Sequence, residues 1–435
     1  MRVSTVCLAV AMVACGQSDG DDTGKDSGGP GNLPVVGQLP AQPAHAGVAY
    51  VAHFESDKLL WTRTDKDKAV GGGSLSMAGV SHSMSLDSVN DVLSVVHDGE
   101  GKVALYSLDR PKNATTPVQE PQLITTVSTD GVPLFSKLDP YHERLYVMTW
   151  DISTDQSVMH IYSFDGATAA KIKSFDVPTS AAWDIDTVRQ VLFFYDAKTV
   201  GVHVFDLFGD EAKEMAGSPI PFGEWYPEEN SWGFTVRNLR VDPWSSRLYA
   251  GRPQGTLSEL MAFSYGDAVP GEGTAYRELA DLTQVEKLED GFDLSVDYEE
   301  RRTLLEAHTA LPDLENGLVF LAGRAWNGTQ STDMMVPMDQ DLQLLPGCTE
   351  DENGWCWLRG YYDSEPDSYL MSEGAACIDT TNQVIVTTSV DFLSGESNGE
   401  MVLFSYESNG AMTPLLMDDG SNPAASIYPV ETVCH

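Results

Sequence analysis

The chain spells nearly the same ten residues twice, as LDPYHERLYV from Leu138 and as VDPWSSRLYA from Val241. Four other segments share the template of an aliphatic residue, an aspartate, four turn-forming residues and an apolar run. An aspartate at the head of a tight turn accepts a backbone N–H about two residues further on, and a following proline fixes φ. We name these residues the anchor aspartates: Asp87, Asp139, Asp186, Asp242, Asp297 and Asp379.

Subtracting consecutive numbers gives anchor intervals of 52, 47, 56, 55 and 82 residues. Segments of alternating apolar and small or polar residues, such as VALYSL from Val103 and MHIYSF from Met159, follow the anchors. Such alternation is typical of half-buried strands. About four short strands per repeat, without a long helix, indicate the blade of a β-propeller. A two-domain β-sandwich is the alternative, but it does not explain one anchor recurring on this period.

Both ends of the repeat region hold part of a blade. VAYVAHF from Val48 and KLLWTRT from Lys58 read as the second and third strands of a unit that lacks its first strand. SIYPVETVCH, from Ser426 to His435, is a strand without a blade. We therefore predict an all-β, seven-bladed β-propeller over residues 47–435, in which the C-terminal strand completes the N-terminal blade and removes the open edges.

The N-terminal residues indicate export. Residues 1–14 carry one arginine and an apolar stretch too short to span a bilayer, which predicts a signal peptide. The sequence MVAC, ending at Cys15, resembles the lipobox of bacterial lipoproteins, and this resemblance implies that Cys15 is lipidated. Residues 15–46 are rich in Gly, Ser and Asp and predict a flexible acidic tether. We expect a lipid-anchored protein of the bacterial cell envelope, on the outer membrane or cell surface; a simple secretion signal is the alternative.

The charge of the chain excludes some partners. The sequence has 65 acidic and 26 basic residues, for a formal net charge of −39. Phosphate backbones repel such a surface, so nucleic acid is not expected as a partner. We expect a monomer that binds a protein, polysaccharide or small-molecule ligand.

Four cysteines remain outside the signal peptide and the lipobox, namely Cys348, Cys356, Cys377 and Cys434. An even number in an exported protein predicts two disulfides, with three connectivities to choose from. A local bridge between Cys348 and Cys356 across a polar loop is the natural pairing and leaves Cys377 for Cys434. A zinc site is less favoured because the C-x2-C spacing is missing.

The blade pattern also predicts where a ligand binds. Residues five before an anchor begin the innermost strand, and residues ten to twelve after it end the second strand, so both face one mouth of the channel. Histidine and arginine at these positions suit an anion or a carbonyl oxygen. Hydrogen-bonded caps of the hairpins are the alternative interpretation. The candidate residues are His82, Arg237, His53, His97, Arg252, His308, Asp151 and Asp196.

The segment HSMSLDSVNDVLSVVHDGEGKVALYSLD, residues 82–109, resembles a blade of the YVTN and lactonase-like seven-bladed propellers. Lactonases of this group use His, Arg and Glu residues at the channel mouth. The chain matches no complete set of them, so the resemblance implies the fold and assigns no catalytic residue.

Three functions follow from this reading. The leading hypothesis is a surface propeller that binds a ligand without catalysis. The first alternative is a lactonase-like hydrolase. The second is a metal-dependent enzyme with a divalent metal at the channel mouth, held by His53, His82, His97 and His308. The sequence predicts no other cofactor, because it has no zinc-protease motif, nucleophile elbow, P-loop or dinucleotide fingerprint.

The predicted lipid anchor is testable at Cys15. Replacing Cys15 with Ser removes the thiol that would carry the lipid, so palmitate labelling should disappear and the protein should move to the soluble fraction. Labelling and membrane fractionation equal to those of the wild type would contradict the prediction.

Overall fold

A computed structural model describes residues 47–434 except 54–57, 66–67, 78–82, 110–116, 152, 155, 179–181, 197–198, 200, 208–210, 222–237, 244, 253–258, 267–285, 288–302, 314–315, 327–330, 348–367, 371–375, 392–398, 416–424 and 428. The described helices and strands are one 3₁₀ turn, Asp98–Glu100, and 30 β-strands. The strands form seven antiparallel sheets that follow one another along the chain. The prediction of an all-β, seven-bladed propeller is therefore confirmed.

The first four blades are built from successive strands. Blade 1 has β1 (Gly47–His53), β2 (Lys58–Asp65) and β3 (Lys68–Ser76). Blade 2 has β4 (Met84–Asp87), β5 (Val92–His97), β6 (Lys102–Ser107) and β7 (Gln122–Ser128). Blade 3 has β8 (Val132–Asp139), β9 (Arg144–Asp151), β10 (Gln156–Phe164) and β11 (Ala169–Val177). Blade 4 has β12 (Trp183–Asp186), β13 (Val191–Asp196), β14 (Gly201–Asp206), β15 (Lys213–Glu214) and β16 (Ile220–Pro221).

The remaining blades are less regular. Blade 5 has β17 (Asn238–Asp242), β18 (Arg247–Arg252), β19 (Glu259–Ser264) and β20 (Glu286–Lys287). Blade 6 has β21 (Thr303–Asp313), β22 (Leu318–Trp326) and β23 (Ser331–Asp339). Blade 7 has β24 (Ser368–Leu370), β25 (Ala376–Asp379), β26 (Val384–Asp391), β27 (Gly399–Tyr406), β28 (Met412–Leu415) and β29 (Ala425–Ile427). The last strand, β30 (Pro429–Cys434), returns to blade 1.

The repeated decapeptide forms the tight turn between the first and second strands of a blade. Asp87 shows the geometry, because its Oδ1 accepts the backbone N–H groups of Val89 and Asn90, both at 2.9 Å. The residue four positions after the anchor closes the turn with a positive φ between 51° and 57° in five blades. Those five residues are Asp91, Glu143, Gln190, Ser246 and Gln383. The turn is therefore the local chemistry that the sequence predicted.

Blade 6 uses a different anchor from the one predicted. Asp297 lies outside the described residues, and Asp313 makes the anchor contacts instead: its Oδ1 accepts the N–H of Asn316 at 3.1 Å and its Oδ2 accepts Nδ2 of Asn316 at 2.7 Å. Gly317, four residues on, has a φ of 67°. Its segment, LPDLENGLVF from Leu311, has the aspartate, the four turn residues and the apolar run of the template, but Pro312 stands where the other anchors have an aliphatic residue. The assignment of Asp297 as an anchor is therefore replaced by Asp313.

Blade 1 closes the ring as predicted. Its strand order is β3-β2-β1-β30, so the C-terminal strand takes the innermost place beside the N-terminal strand. A disulfide joins Cys434 of β30 to Cys377 of β25 in blade 7, with Cα atoms 5.5 Å apart. This bridge confirms the pairing predicted for these two cysteines. Cys348 and Cys356 lie outside the described residues.

Neighbouring blades pack face to face through apolar side chains. One cluster joins Met148 and Ile161 of blade 3 to Leu192 and Phe194 of blade 4, and all four are fully buried. Removing such side chains from water supplies about 1.5–3 kcal/mol each. The core is therefore divided into layers between blades, and the innermost strands are held around the central channel.

The disulfide should contribute measurably to stability. Replacing Cys377 and Cys434 by Ser opens a loop with a sequence separation of 57 residues, which the chain-entropy account values at about 4 kcal/mol. We expect the urea unfolding midpoint of this double variant to be lower than that of the wild type. A midpoint equal to that of the wild type would show that strand pairing alone closes the ring.

Candidate functional site

Five residues of the predicted ring lie at the ends of second strands. His53, His97, Asp151, Asp196 and Arg252 are the last residues of β1, β5, β9, β13 and β18. His82 and Arg237 lie outside the described residues, and so do the side chains of His53, Arg252 and His308. The predicted ring of side chains therefore remains a hypothesis, although the backbone places five of its members at equivalent strand ends.

His308 does not occupy the predicted position at the end of a second strand. It lies within β21, the innermost strand of blade 6. The physical reason is the change of anchor: His308 is five residues before Asp313, a spacing that matches His82 before Asp87 and Arg237 before Asp242. The residue at the end of the second strand of blade 6 is Trp326.

The described members of the ring differ in exposure. His97 is buried, with 2% of its surface exposed. Asp151 is exposed and accepts hydrogen bonds from the backbone N and Oγ of Ser153 at 2.8 and 2.6 Å, which lower the pKa of its carboxyl group. Oδ2 of Asp196 lies 3.7 Å from Nε2 of His203. Asp151 and Asp196 thus have local partners at the edge of the sheet.

A cavity of about 290 Å³ in the channel brings together innermost strands from six blades. The position two residues before five of the six anchors contributes Ser85, Lys137, Arg240, Leu311 and Cys377 to its lining, and β30 contributes Cys434. This ring is not among the predicted ligand-binding residues, which the blade pattern assigns to the ends of strands. The sequence does contain a pattern that indicates this ring. When the repeats are aligned on their anchor aspartates, the position two residues before the anchor holds three charged residues: Lys137, Asp184 and Arg240.

Lys137 and Asp184 form an ion pair across the junction of blades 3 and 4. Asp184 is 8% exposed, and its Oδ2 also accepts the backbone N–H of Val241 in blade 5 at 2.8 Å. Nζ of Lys137 lies 5.2 Å from the ring centroid of Trp183, within cation–π range. Asp184 therefore connects the innermost strands of three blades, which is a structural role.

Arg240 has a different environment from Lys137. It is partly buried, and its Nη1 donates to the carbonyl oxygen of Leu239 at 3.4 Å. In the described part of the chain, no carboxylate forms an ion pair with this guanidinium. A guanidinium offers five donors in a planar fork that matches carboxylate and phosphate groups. Arg240 is therefore the strongest described candidate for contacting an anionic ligand in the channel.

Within the residues that the structure describes, no group of three or more His, Cys, Asp or Glu side chains is arranged to hold a metal ion. No helix in the same residues has the length and apolar character needed to cross a membrane.

The fold resembles that of solved propellers over most of its length. A protein from Lactobacillus plantarum superposes with a TM-score of 0.58 at 11% identity, covering 90% of this chain and 99% of that one. A putative 6-phosphogluconolactonase from Bacteroides uniformis gives 0.56 at 11% identity, covering 90% and 100%.

The periplasmic gluconolactonase of Pseudomonas aeruginosa gives a TM-score of 0.51 at 12% identity, covering 89% of this chain and 98% of that one. No protein-family model matches the sequence, and no curated protein matches it significantly. At these identities the likeness establishes a β-propeller fold and does not assign an activity.

Asp184 and Arg240 should respond differently to truncation. Asp184→Ala removes the acceptor for Val241 N–H and the partner of Lys137, so we expect a loss of about 2–3 kcal/mol in the free energy of unfolding. Arg240→Ala breaks no ion pair among the described residues, and we expect a change within about 0.5 kcal/mol. Urea unfolding followed by tryptophan fluorescence measures both, and equal losses would contradict this division of roles.

Proposed function

We propose that the protein is a lipid-anchored binding propeller of the bacterial cell envelope, and that its central channel receives a small anionic ligand such as a sugar acid. One observation carries the proposal, namely the guanidinium of Arg240 in the channel cavity without a carboxylate partner among the described residues. Lys137 lines the same cavity and adds positive charge beside its ion pair with Asp184.

The acidic body does not oppose such binding. The net charge of −39 is spread over the whole chain, and charges more than about 8–10 Å away are largely screened at physiological salt. A partly buried guanidinium acts at contact distance, where a charge-assisted hydrogen bond contributes about 1.5–3 kcal/mol. Local geometry should therefore decide whether an anion binds.

A lactonase-like hydrolase is the second candidate, and the fold likeness to two proteins described as lactonases favours it. Lactones of sugar acids and the acids themselves share the hydroxylated ring or chain that a polar channel accommodates. A hydrolase would additionally need a group that activates water and donors that stabilise the developing oxyanion. The candidates for those roles are the side chains predicted at the mouth, His82 and Arg237 among them.

Calorimetry with gluconate, 6-phosphogluconate and glucose tests the binding proposal. We expect the two anions to bind and glucose to bind at least tenfold more weakly, because only the anions can pair with Arg240. Arg240→Ala should weaken anion binding by about ten- to a hundredfold. Arg247→Ala is the matched control, since it removes an arginine that is paired with Asp341 away from the channel.

The same samples distinguish the two candidates. Hydrolysis of glucono- or 6-phosphoglucono-lactone above the buffer rate, followed by proton release, would replace the binding function with the hydrolase. Equal affinity of wild type and Arg240→Ala for the anions, or no anion binding at millimolar concentration, would overturn the proposed channel site.

A further inference from the structure

A second cavity, of about 330 Å³, lies between blades 2 and 3 beside the anchor turns. The anchor turns follow the last residues of the innermost strands, whereas the predicted channel mouth lies where those strands begin. This cavity and the predicted mouth are therefore at opposite ends of the innermost strands. Its apolar wall includes Val92, Ile124, Leu138 and Phe164. Its polar wall includes Asp87, Asp139, Glu143, Arg144 and Asp165.

Tyrosines at two other blade junctions show one way in which this place is filled, whereas in blade 4 the equivalent residue is Leu207 and Gln190 supplies the donor to the anchor Asp139. The hydroxyl of Tyr265 in blade 5 donates to Oδ2 of Asp186 in blade 4 at 2.8 Å. The hydroxyl of Tyr406 in blade 7 donates to Oδ2 of Asp313 in blade 6 at 2.6 Å. In both cases a tyrosine at the end of the third strand ties its blade to the buried anchor of the preceding blade.

Phe164 occupies the equivalent position in blade 3. Its backbone N–H donates to the carbonyl of the positive-φ residue Glu143 at 2.8 Å, as that of Tyr406 does to Gln383 at 2.9 Å and that of Tyr265 does to Ser246 at 3.0 Å. The phenyl ring has no hydroxyl to offer to the anchor of blade 2.

The anchor Asp87 consequently has a place for another donor. It is 4% exposed, and its Oδ2 accepts one hydrogen bond, from Nδ2 of Asn90 at 2.8 Å. The equivalent oxygen of Asp313 accepts both the amide of Asn316 and the hydroxyl of Tyr406. Within the described residues, Asp87 receives no side-chain donor from blade 3. A carboxylate oxygen can accept more than one hydrogen bond.

The charge of the cavity determines what kind of donor suits it. Four carboxylates line it against one guanidinium, and Nη1 of Arg144 is engaged by Oε1 of Gln190 at 2.7 Å. The field is evident at Tyr141, whose pKa is raised to about 12 by burial and by the charges of Asp139 and Asp87. A cation is therefore favoured over a neutral or anionic group.

We propose that this cavity binds a small organic amine. Its ammonium group would donate to Oδ2 of Asp87, in the place of the missing tyrosine hydroxyl, and its apolar body would pack against Phe164 and Ile124. The site is separate from the channel and does not depend on the function proposed there.

Phenethylamine is the probe, with 2-phenylethanol and 3-phenylpropionate as ligands of similar shape that carry a neutral and a negative head. We expect one saturable site for phenethylamine, at least tenfold weaker binding of 2-phenylethanol and no saturable binding of 3-phenylpropionate. Equal binding of the amine and the alcohol would overturn the assignment of the charge.

Phe164→Tyr is the decisive variant, because it supplies the hydroxyl that the amine would replace. We expect it to weaken phenethylamine binding at least tenfold while melting no lower than the wild type. Unchanged affinity would overturn the proposed position of the ligand, and Tyr406→Phe is the control that alters another junction and leaves the affinity unchanged.

Glu143→Gln keeps the test informative if Phe164→Tyr does not fold. Glutamine occupies the equivalent positive-φ position at Gln190 and Gln383, so the backbone tolerates the change. Removing one carboxylate from the wall should weaken phenethylamine binding two- to fivefold and leave 2-phenylethanol unaffected. An equal effect on both ligands, or no effect on either, would contradict the proposal.

Discussion

The buried anchor carboxylate is the interaction on which the blades depend. Asp186 and Arg189 are both fully buried and form an ion pair at 2.6 Å. The same guanidinium reaches the carbonyl of Pro243 at 2.6 Å and the hydroxyl of Ser246 at 2.5 Å in the next blade. A buried charge is costly unless hydrogen bonds satisfy it. These partners come from two blades, so the turn is satisfied only when the blades are assembled.

Other junctions meet the same requirement with different side chains. Asp139 receives Nε2 of Gln190 at 2.6 Å, and Asp379 receives the hydroxyl of Thr64 at 2.8 Å. The Thr64 contact joins blade 7 to blade 1, where a Cβ on Gly47 would lie 1.7 Å from Asp379. Close approach of the blades therefore requires glycine at this position. The anchors thus act twice, within a turn and between neighbouring blades.

This arrangement gives the two ends of the propeller different chemistry. At the turns, carboxylates are buried and paired, and the blade 2–3 cavity keeps an acidic lining where a phenylalanine replaces a tyrosine. In the channel, the ring two residues before the anchors combines an ion pair, a disulfide and Arg240. Function in this fold therefore depends on which side chains occupy equivalent positions in successive blades.

The sequence by itself determined the fold class, because the anchor turn is made by hydrogen bonds between residues two or three apart and is therefore visible as a local pattern. It also determined the closing strand and the pairing of Cys377 with Cys434. It misplaced the anchor of blade 6, because Val296 and Asp297 match the aliphatic–aspartate template whereas Asp313 follows a proline. Only the tertiary structure decided that His97 is buried, that Asp184 pairs with Lys137 and that Arg240 faces the channel without a carboxylate partner among the described residues. Those outcomes depend on contacts between blades about 50 residues apart in the sequence, and local pattern does not carry them.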